Sequence, residues 1–301
     1  MKVVFLGTSG MVPTKERNVQ GIYLDYNGEG ILLDCGEGTQ RQIQHAGLNA
    51  QKIKKILISH WHGDHVSGLL GLLQTIGNFS GDDKTIKLFG PVGSKQYLEH
   101  LTKSCVFDVQ LNLEVIELNP TGLETFFENE DYALQAILLD HSVPCLGFKF
   151  LRKERRKMNQ AALQEKGVQG ELVGQLQSGK SVEVKGISIS PEEVSVIEPS
   201  RSVSFIFDTR ICDACYTLAQ DSDLLVSEAV YKDDLQDKAQ EYGHMTALQV
   251  AQVASQSGVE QLILTHFSQR YKDVGELEEE AKSLFENTSC AYDLMKVNLP
   301  F

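Results

Sequence analysis

ISHWHGDHVSG, residues 58–68, places three histidines and one aspartate within six positions at the end of an apolar run. Zinc and similar ions bind neutral imidazole nitrogens and carboxylate oxygens. His60 and His62 alternate and would project to one side of the loop, while Asp64 and His65 can face a second ion beside the first. The alternative is a set of surface histidines, but the chain has only eight histidines in total. The loop therefore predicts a metal site.

The composition indicates a globular protein with a large core, because 42% of its 301 residues are hydrophobic. No stretch approaches the roughly 20 consecutive apolar residues of a membrane span, and Met1 and Lys2 lead directly into VVFLGTSG, a strand followed by a glycine loop. We expect a cytoplasmic protein without a membrane partner.

The six cysteines are scattered through the chain, unlike those of a small secreted disulfide scaffold, and indicate a reducing compartment. Cys212 and Cys215 form a single C-x-x-C. Such a pair could be redox-active or half of a zinc knuckle, but no second pair stands near it. We interpret it as incidental.

Apolar strand-like runs alternate with helical segments, which predicts an α/β fold. VVFLG opens the chain, GIYLDY and GILLD form a hairpin around Asn27-Gly28, and KKILISH is predicted to continue as a strand to His60. Helices are expected around residues 38–47, 68–79 and 94–103. Later strands are expected in LFGP, YALQAILLDH, SVSFIFDTR, DLLVSEA and VEQLILTHF.

Polar residues recur at the carboxyl ends of these runs, where α/β folds place their chemistry. They are His60, His141, Asp208, Glu228 and His266. His141, Asp208 and His266 would supply the further ligands that two ions need, and a carboxylate such as Asp208 can bridge two cations. Coordination lowers the pKa of water from ~15.7 towards ~7, which would supply a nucleophile.

His244 lies in GHMTA at a predicted helix start, and Glu228 is available to orient and charge it. Such an imidazole can donate a proton to a leaving oxygen. The alternative is an exposed histidine beside a helix cap. His45 and His100 lie in predicted helices without partners and receive no role.

The net charge of −13 argues against a nucleic-acid partner for the chain as a whole, but its distribution is uneven. Residues 149–186 contain nine basic and four acidic residues and little core periodicity. This segment is predicted to be an inserted, flexible basic arm that could bind a polyanion.

The histidine-rich loop and the strand-end ligands resemble the metallo-β-lactamase fold, whose members act on many substrates. Accessory motifs resemble those of the ribonuclease Z family, the tRNA 3′-processing endonucleases, along nearly the whole chain. They are FLGTSGMVPTKERN (5–18), ILLDCGEGTQRQ (31–42), GPVG (90–93), DTR (208–210), EAVY (228–231), GHMTA (243–247) and THFSQRY (265–271).

This resemblance implies one four-layer αββα domain over residues 1–301 and a hydrolase that removes 3′ trailers from precursor tRNA. The products would be a 3′-hydroxyl on the tRNA and a 5′-phosphate on the trailer. It also implies two divalent ions per subunit, zinc or alternatively manganese. One ion would be held by His60, His62 and His141, the other by Asp64, His65 and His266, with Asp208 bridging.

The resemblance further implies roles in catalysis and RNA binding. Asp64 would help to activate water, and His244 with Glu228 would protonate the leaving 3′-oxygen. Substrate contacts are implied for Ser268 and Arg270 near the scissile phosphate and for Arg17 and Asn18 near the RNA end. The arm, residues 149–186, would grip tRNA across a homodimer, and its predicted contacts are Arg152, Arg155, Arg156 and Lys157.

The sequence departs from the family pattern in three places. Gly170 is followed by Glu171 where the family's arm usually has Gly-Pro, GPVG replaces Gly-Pro-Pro-Gly, and Trp61 lies in the ligand loop, where we expect it to pack. Two other functions stay open: a small-molecule hydrolase on the same fold, and a tRNA-binding protein that does not cleave.

Overall fold

The computed structural model of the chain describes residues 1–79, 84–107 and 111–301. These residues form two compact units. The main unit comprises Met1–Phe127, Leu134–Phe150 and Ser202–Phe301, and the second unit comprises Glu128–Ala133 and Leu151–Arg201.

Strands and helices alternate along the described residues. The strands are β1 Lys2–Gly7, β2 Gly21–Tyr26, β3 Glu29–Leu33, β4 Ile53–Leu57, β5 Thr85–Pro91, β6 Asn112–Leu118, β7 Glu124–Glu128, β8 Tyr132–Leu139, β9 Cys145–Arg152, β10 Arg155–Met158, β11 Val182–Val184, β12 Ile187–Ile189, β13 Ser195–Glu198, β14 Arg201–Ile206, β15 Leu224–Glu228, β16 Leu262–Thr265, β17 Thr288–Cys290 and β18 Lys296–Asn298. The α-helices are α1 Thr39–His45, α2 Gly63–Val66, α3 Leu69–Asn78, α4 Ser94–Lys103, α5 Gln160–Glu165, α6 Glu171–Gln177, α7 Pro191–Val194, α8 Asp213–Ala219, α9 Gln236–Tyr242, α10 Ala247–Gln256 and α11 Gly275–Lys282. None of the helices within the described ranges is both long and apolar enough to cross a membrane.

Two seven-stranded sheets form the centre of the fold. The first has the order β18-β1-β2-β3-β4-β5-β6, and the second has the order β17-β16-β15-β14-β9-β8-β7. Strands β3 to β6 are parallel to one another, as are β14 to β17. The carboxyl ends of parallel strands meet at one edge of a sheet, which brings the loops after β4, β14 and β16 together.

The sheets face each other, and helices cover their outer faces. Tyr26 of β2 meets Phe150 of β9 with ring centroids 5.1 Å apart, and Phe89 of β5 meets Phe126 of β7 at 4.8 Å. Apolar residues of α1, α3 and α4 pack on the first sheet, and those of α8, α10 and α11 pack on the second. The predicted αββα sandwich is therefore confirmed, and its central strands are almost fully buried, as strands covered on both faces must be.

Local predictions hold with one correction. Asn27 and Gly28 both have positive φ, 51° and 81°, and turn the β2–β3 hairpin as expected. The strand predicted to continue to His60 ends at Leu57. Ser59 leaves the sheet ladder because its backbone N–H donates instead to Asp34 Oδ1, at 2.8 Å. Because the strand ends early, the predicted ligands His60 and His62 lie in a loop rather than in the sheet.

The second unit has its own small core and two two-stranded sheets. Strand β10 pairs with β13, and β11 pairs with β12. Six buried apolar side chains pack together: Leu163, Val168, Leu176, Val182, Ile189 and Val194. Most of the predicted arm falls in this unit, and its flexibility stays a prediction.

Candidate metal and catalytic site

The seven predicted metal ligands come together in the main unit, each after the carboxyl end of a strand. Four follow β4, and one each follows β8, β14 and β16. Their ligand atoms form two groups, each within 4.8 Å. The groups are His60, His62, His141 and Asp208, and Asp64, His65 and His266.

In the first group, three imidazole nitrogens converge. His62 Nδ1 lies 3.0 Å from His60 Nε2 and 3.3 Å from His141 Nε2. Asp208 Oδ2 lies 3.8 Å from His60 Nε2. Three nitrogens and one carboxylate oxygen are a donor set suited to zinc.

In the second group, His65 Nε2 lies 3.1 Å from His266 Nε2. Asp64 Oδ2 lies 3.4 Å from both of these nitrogens. Asp208 reaches this group with its other oxygen, since Oδ1 lies 3.4 Å from His65 Nε2. Asp208 thus touches both groups, as a bridging ligand would.

Two buried polar atoms in this cluster make no hydrogen bond, Asp208 Oδ1 and His266 Nδ1, and they lie 3.3 Å from each other. Unpaired buried polar atoms are costly and need an explanation. Ring nitrogens of the clustered histidines also lie close to one another, as in the pairs His60–His62, His62–His141 and His65–His266. Divalent cations would satisfy both features, so the residues present fit a metal centre.

Hydrogen bonds on the outer side of the cluster fix the histidine rings. His65 Nδ1 lies 2.7 Å from Asp34 Oδ2, His141 Nδ1 lies 2.9 Å from the Gly243 carbonyl oxygen, and His60 Nδ1 lies 3.0 Å from Ser59 Oγ. When the outer nitrogen donates, the inner nitrogen keeps its lone pair, which is the tautomer that binds a metal.

Backbone strain accompanies this arrangement at two strand ends. Asp34 follows β3 with a φ of 56°, and His266 follows β16 with a φ of 57°. Non-glycine residues rarely adopt such values, and they persist where the surrounding structure requires them. Gly10 lies directly against the His266 ring, because a Cβ there would stand 2.9 Å from His266 Cε1.

The ionisation of the cluster suits cation binding. Burial lowers the pKa of His60 and His141, which favours the neutral, ligating imidazole. Burial raises the pKa of Asp64 and Asp208, but their histidine neighbours outweigh it and hold both pKa values below the usual range. Burial likewise opposes a charged His65, yet the surrounding carboxylates raise its pKa, so a cation bound there would displace a proton.

His244 and Glu228 form the pair that the sequence predicted. His244 Nδ1 lies 3.1 Å from Glu228 Oε1, and Glu228 is fully buried. The Glu228 carboxylate also accepts the backbone N–H groups of Thr209, at 2.8 Å, and Met245, at 3.3 Å. Burial lowers the pKa of His244, but the Glu228 charge and hydrogen bond raise it to about 9.

A cleft of about 560 Å³ opens onto both groups and His244. Beyond them, Ser268 and Arg270 line it, and their contact with substrate stays a prediction. Its walls also contain Tyr231, Lys238 and Tyr242, which the sequence reasoning did not single out. Tyr231 is the last residue of the motif EAVY, three residues after Glu228, and this position could have identified it as a cleft residue from the sequence.

The side chains of Arg17 and Asn18 donate hydrogen bonds to backbone carbonyl oxygens of neighbouring loops. Arg17 Nη2 donates to the carbonyl oxygens of Tyr271, at 2.7 Å, and Ser268, at 3.4 Å. Asn18 Nδ2 donates to the Glu37 carbonyl oxygen at 2.8 Å. These bonds hold the two residues within the protein, and their contact with RNA stays a prediction.

The basic residues of the second unit are largely paired within it. Arg155 and Lys157 flank Glu198 at 2.7 and 2.9 Å, and their hydrogen bonds lower its pKa to about 2. Arg156 Nη2 lies 3.3 Å from Glu192 Oε1. Arg152 is only 2% exposed and donates to the Pro199 carbonyl oxygen at 2.6 Å.

Acidic residues outside the predicted arm change the charge of the second unit. It contains nine basic and ten acidic residues, a net charge of −1. The local excess of five positive charges in residues 149–186 is therefore offset by their neighbours. A polyanion would meet individual arginine and lysine side chains there rather than a strong positive field.

The chain is similar along its length to several known proteins. Residues 1–155 match the family model described as anti-Pycsar protein Apyc1. The ribonuclease Z of Methanosarcina mazei is 36% identical over 305 residues, covering 100% of this chain and 99% of that protein. The ribonuclease Z of Bacillus cereus is 38% identical, covering 98% of each chain. The solved structure of the short form of human tRNase Z is 28% identical, with a TM-score of 0.74 and 100% of both chains covered.

Proposed function

The chain belongs to the ribonuclease Z family, with residues 1–155 also fitting the Apyc1 family, and we propose that it is an endoribonuclease that removes 3′ trailers from precursor tRNA. Full-length similarity to ribonuclease Z, together with the ligand cluster at the base of an open cleft, supports this. The products would be a 3′-hydroxyl on the tRNA and a 5′-phosphate on the trailer.

Two divalent cations would occupy the cluster. His60, His62 and His141 would hold one, and Asp64, His65 and His266 would hold the other, with Asp208 between them. Bound there, such ions supply an activated water at neutral pH and neutralise charge on the phosphodiester. The nitrogen-rich donor set favours zinc, and manganese is the alternative.

The carboxylate of Asp64 would take a proton from the attacking water. It is ionised, it lines the cleft, and the Met11 backbone N–H donates to its Oδ2 at 2.7 Å. That bond fixes the carboxylate against the cleft floor, which keeps the acceptor oriented before substrate arrives.

His244 would donate a proton to the leaving 3′-oxygen. Its Nδ1 is held by Glu228, so Nε2 remains to donate. Glu228 is buried and accepts two backbone N–H groups, which hold it in one orientation. A leaving alkoxide is a strong base, and protonating it as the bond breaks contributes roughly 10²–10⁴-fold to such reactions.

The outer cleft would bind RNA through arginine, lysine and aromatic side chains. Arg270 lies over the Tyr231 ring at 5.3 Å, and Tyr242, 52% exposed, has Lys238 6.0 Å from its ring centroid. Exposed aromatic rings stack on nucleobases without regard to sequence, and nearby cations meet phosphates. A tRNA 3′ end is a single strand of this kind.

Precursor tRNA, as the substrate, would place the enzyme in the cytoplasm. We further propose, from the family resemblance, that it works as a homodimer in which Arg152, Arg155, Arg156 and Lys157 contact tRNA. Because Arg152 is buried, we expect the more exposed Arg155 and Lys157 to make most of these contacts.

Hydrolysis of a small phosphodiester is the second candidate function. This reaction would need the same metal ligands but neither the basic segment nor the His244 proton donor. A single ligand set thus serves both candidates, and substrate choice separates them.

The test is to incubate the metal-loaded protein with a 3′-extended precursor tRNA and to map both product ends. We expect one cut close to the end of the acceptor stem, and no cut with Asp208→Asn. His100→Ala changes an exposed histidine of α4 and serves as the matched control. Binding without cleavage, under zinc and manganese alike, would instead favour a tRNA-binding protein.

A further inference from the structure

Two thiols lie beside the loop that carries Asp208, and the proposed reaction uses neither. Cys212 immediately precedes α8, and Cys215 lies in its first turn. Their Sγ atoms are 3.7 Å apart. Cys212 is partly exposed and Cys215 is buried, so only the first is open to a reagent from solution.

The surroundings divide the two cysteines into an attacking and a resolving thiol. Hydrogen bonds from the Cys215 thiol and backbone N–H outweigh burial and lower the pKa of Cys212 to about 6. The same thiol contact and burial raise the pKa of Cys215. Cys212 is therefore a thiolate at neutral pH, which is the nucleophilic form.

A structural metal does not account for the pair. Among the residues that the structure describes, no group of three or more potential metal ligands includes either cysteine. A zinc knuckle needs four ligands.

We propose that Cys212 and Cys215 form a reversible dithiol that is oxidised by low-molecular-weight disulfides. The Cys212 thiolate attacks one sulfur of such a disulfide, forms a mixed disulfide and expels one thiolate, which takes up a proton. Cys215 then loses its proton and attacks Cys212 Sγ, expelling the second thiol. Two cysteine thiols are oxidised, and one external disulfide is reduced to two thiols.

Oxidation would reach the active site through Thr209. Closing the sulfur separation from 3.7 Å to the about 2.05 Å of a disulfide requires the sulfurs to move, and Cys212 Sγ also contacts Thr209 Oγ1 at 3.9 Å. Thr209 follows Asp208 in sequence, and its N–H donates to Glu228. We therefore expect oxidation to slow cleavage, an effect that rests on the proposed function.

The dithiol itself is tested without any activity measurement. The metal-loaded full-length protein is treated with oxidised glutathione in a background that combines Cys105→Ser with Cys290→Ser, because Cys105 is exposed, Cys290 is partly exposed like Cys212, and either could react on its own. Intact mass and thiol titration should show two thiols lost, no glutathione adduct, and full reversal by dithiothreitol. Cys215→Ser in this background should instead trap glutathione on Cys212, and Cys212→Ser should leave Cys215 unreacted. A lasting adduct on Cys212 while Cys215 is present, or no reaction at all, would overturn the dithiol.

The coupling is tested by comparing precursor-tRNA cleavage before and after oxidation. We expect a several-fold loss that dithiothreitol reverses. If the disulfide forms and cleavage is unchanged, the coupling through Thr209 is refuted while the dithiol stands. If the reduced protein does not cleave, the proposed function fails, and the mass measurement still decides the dithiol.

Discussion

His65 Nδ1 lies 2.7 Å from Asp34 Oδ2, and both side chains are completely buried. Asp34 also accepts the backbone N–H and the hydroxyl of Ser59, at 2.8 and 2.7 Å. This carboxylate therefore anchors the start of the ligand loop and orients His65 with Nε2 towards the cluster.

Asp34→Asn should weaken metal binding about 10–100-fold, the usual cost of losing such an outer partner of a ligating histidine. Both carboxylate oxygens of Asp34 accept hydrogen bonds, from Ser59 and from His65. An asparagine replaces one of these oxygens with an NH₂ group, which cannot accept, so either His65 or Ser59 loses its acceptor. A zinc titration against a competing chelator measures the change, with His100→Ala as control. Unchanged affinity in a folded variant would show that Asp34 does not orient His65.

His244→Ala should lower kcat for precursor tRNA about 10²–10⁴-fold, because the leaving 3′-oxygen then departs unprotonated. An aryl phosphodiester, whose leaving group is a weak base, should lose far less. Steady-state kinetics on both substrates gives the comparison. Equal losses would argue that His244 supports the metal site rather than the leaving group.

The alkaline limb of the pH–rate profile should report the proton on His244. Below its pKa of about 9 the imidazole carries the proton, and activity is lost as pH rises through that pKa. Bound cations lower this pKa, so the limb should lie at or below pH 9. Glu228→Gln removes the neighbouring negative charge and should move the limb to lower pH. A limb that does not move would exclude this pair as the titrating donor.

Changing Arg155, Arg156 and Lys157 together to alanine should reduce precursor-tRNA processing but spare an aryl phosphodiester. If these side chains meet phosphates, the dependence of log KM on log salt should flatten by about one unit for each phosphate that is no longer bound. The ion pairs that this change removes lie at the surface of the second unit, where solvent screens them and they contribute little to stability, so the protein should remain folded. Parallel losses on both substrates would count against RNA binding by this segment.

The sequence was sufficient to predict the cluster because strand ends carry it. Asp208 and His266 follow β14 and β16, parallel strands whose carboxyl ends meet at one edge of a sheet, and His141 follows β8 of that same sheet. Asp34 also ends an apolar run, GILLD, but it lies among ordinary loop residues. The contact between the Asp34 carboxylate and His65 is seen only in the folded chain, because the two residues are 31 positions apart in sequence.

The charge of the arm could not be predicted because pairing depends on the fold. Glu192 and Glu198 lie outside residues 149–186, yet the antiparallel pairing of β10 with β13 places Glu198 between Arg155 and Lys157. Arg152 is likewise basic in sequence and buried in the structure. The role proposed for Cys212 and Cys215 could not be predicted for a similar reason. The distance between their sulfur atoms and the contact of Cys212 with Thr209 are known only from the folded protein.

Metal content is the most direct test of the central claim that seven side chains hold two cations around one reaction centre. The purified protein is stripped with a chelator, reloaded with zinc and quantified by mass spectrometry after desalting. Two zinc ions per chain are predicted, with cleavage returning as the second binds, and Asp208→Asn should fail to hold the pair. Full cleavage by the stripped protein, or saturation at one ion per chain, would contradict the account.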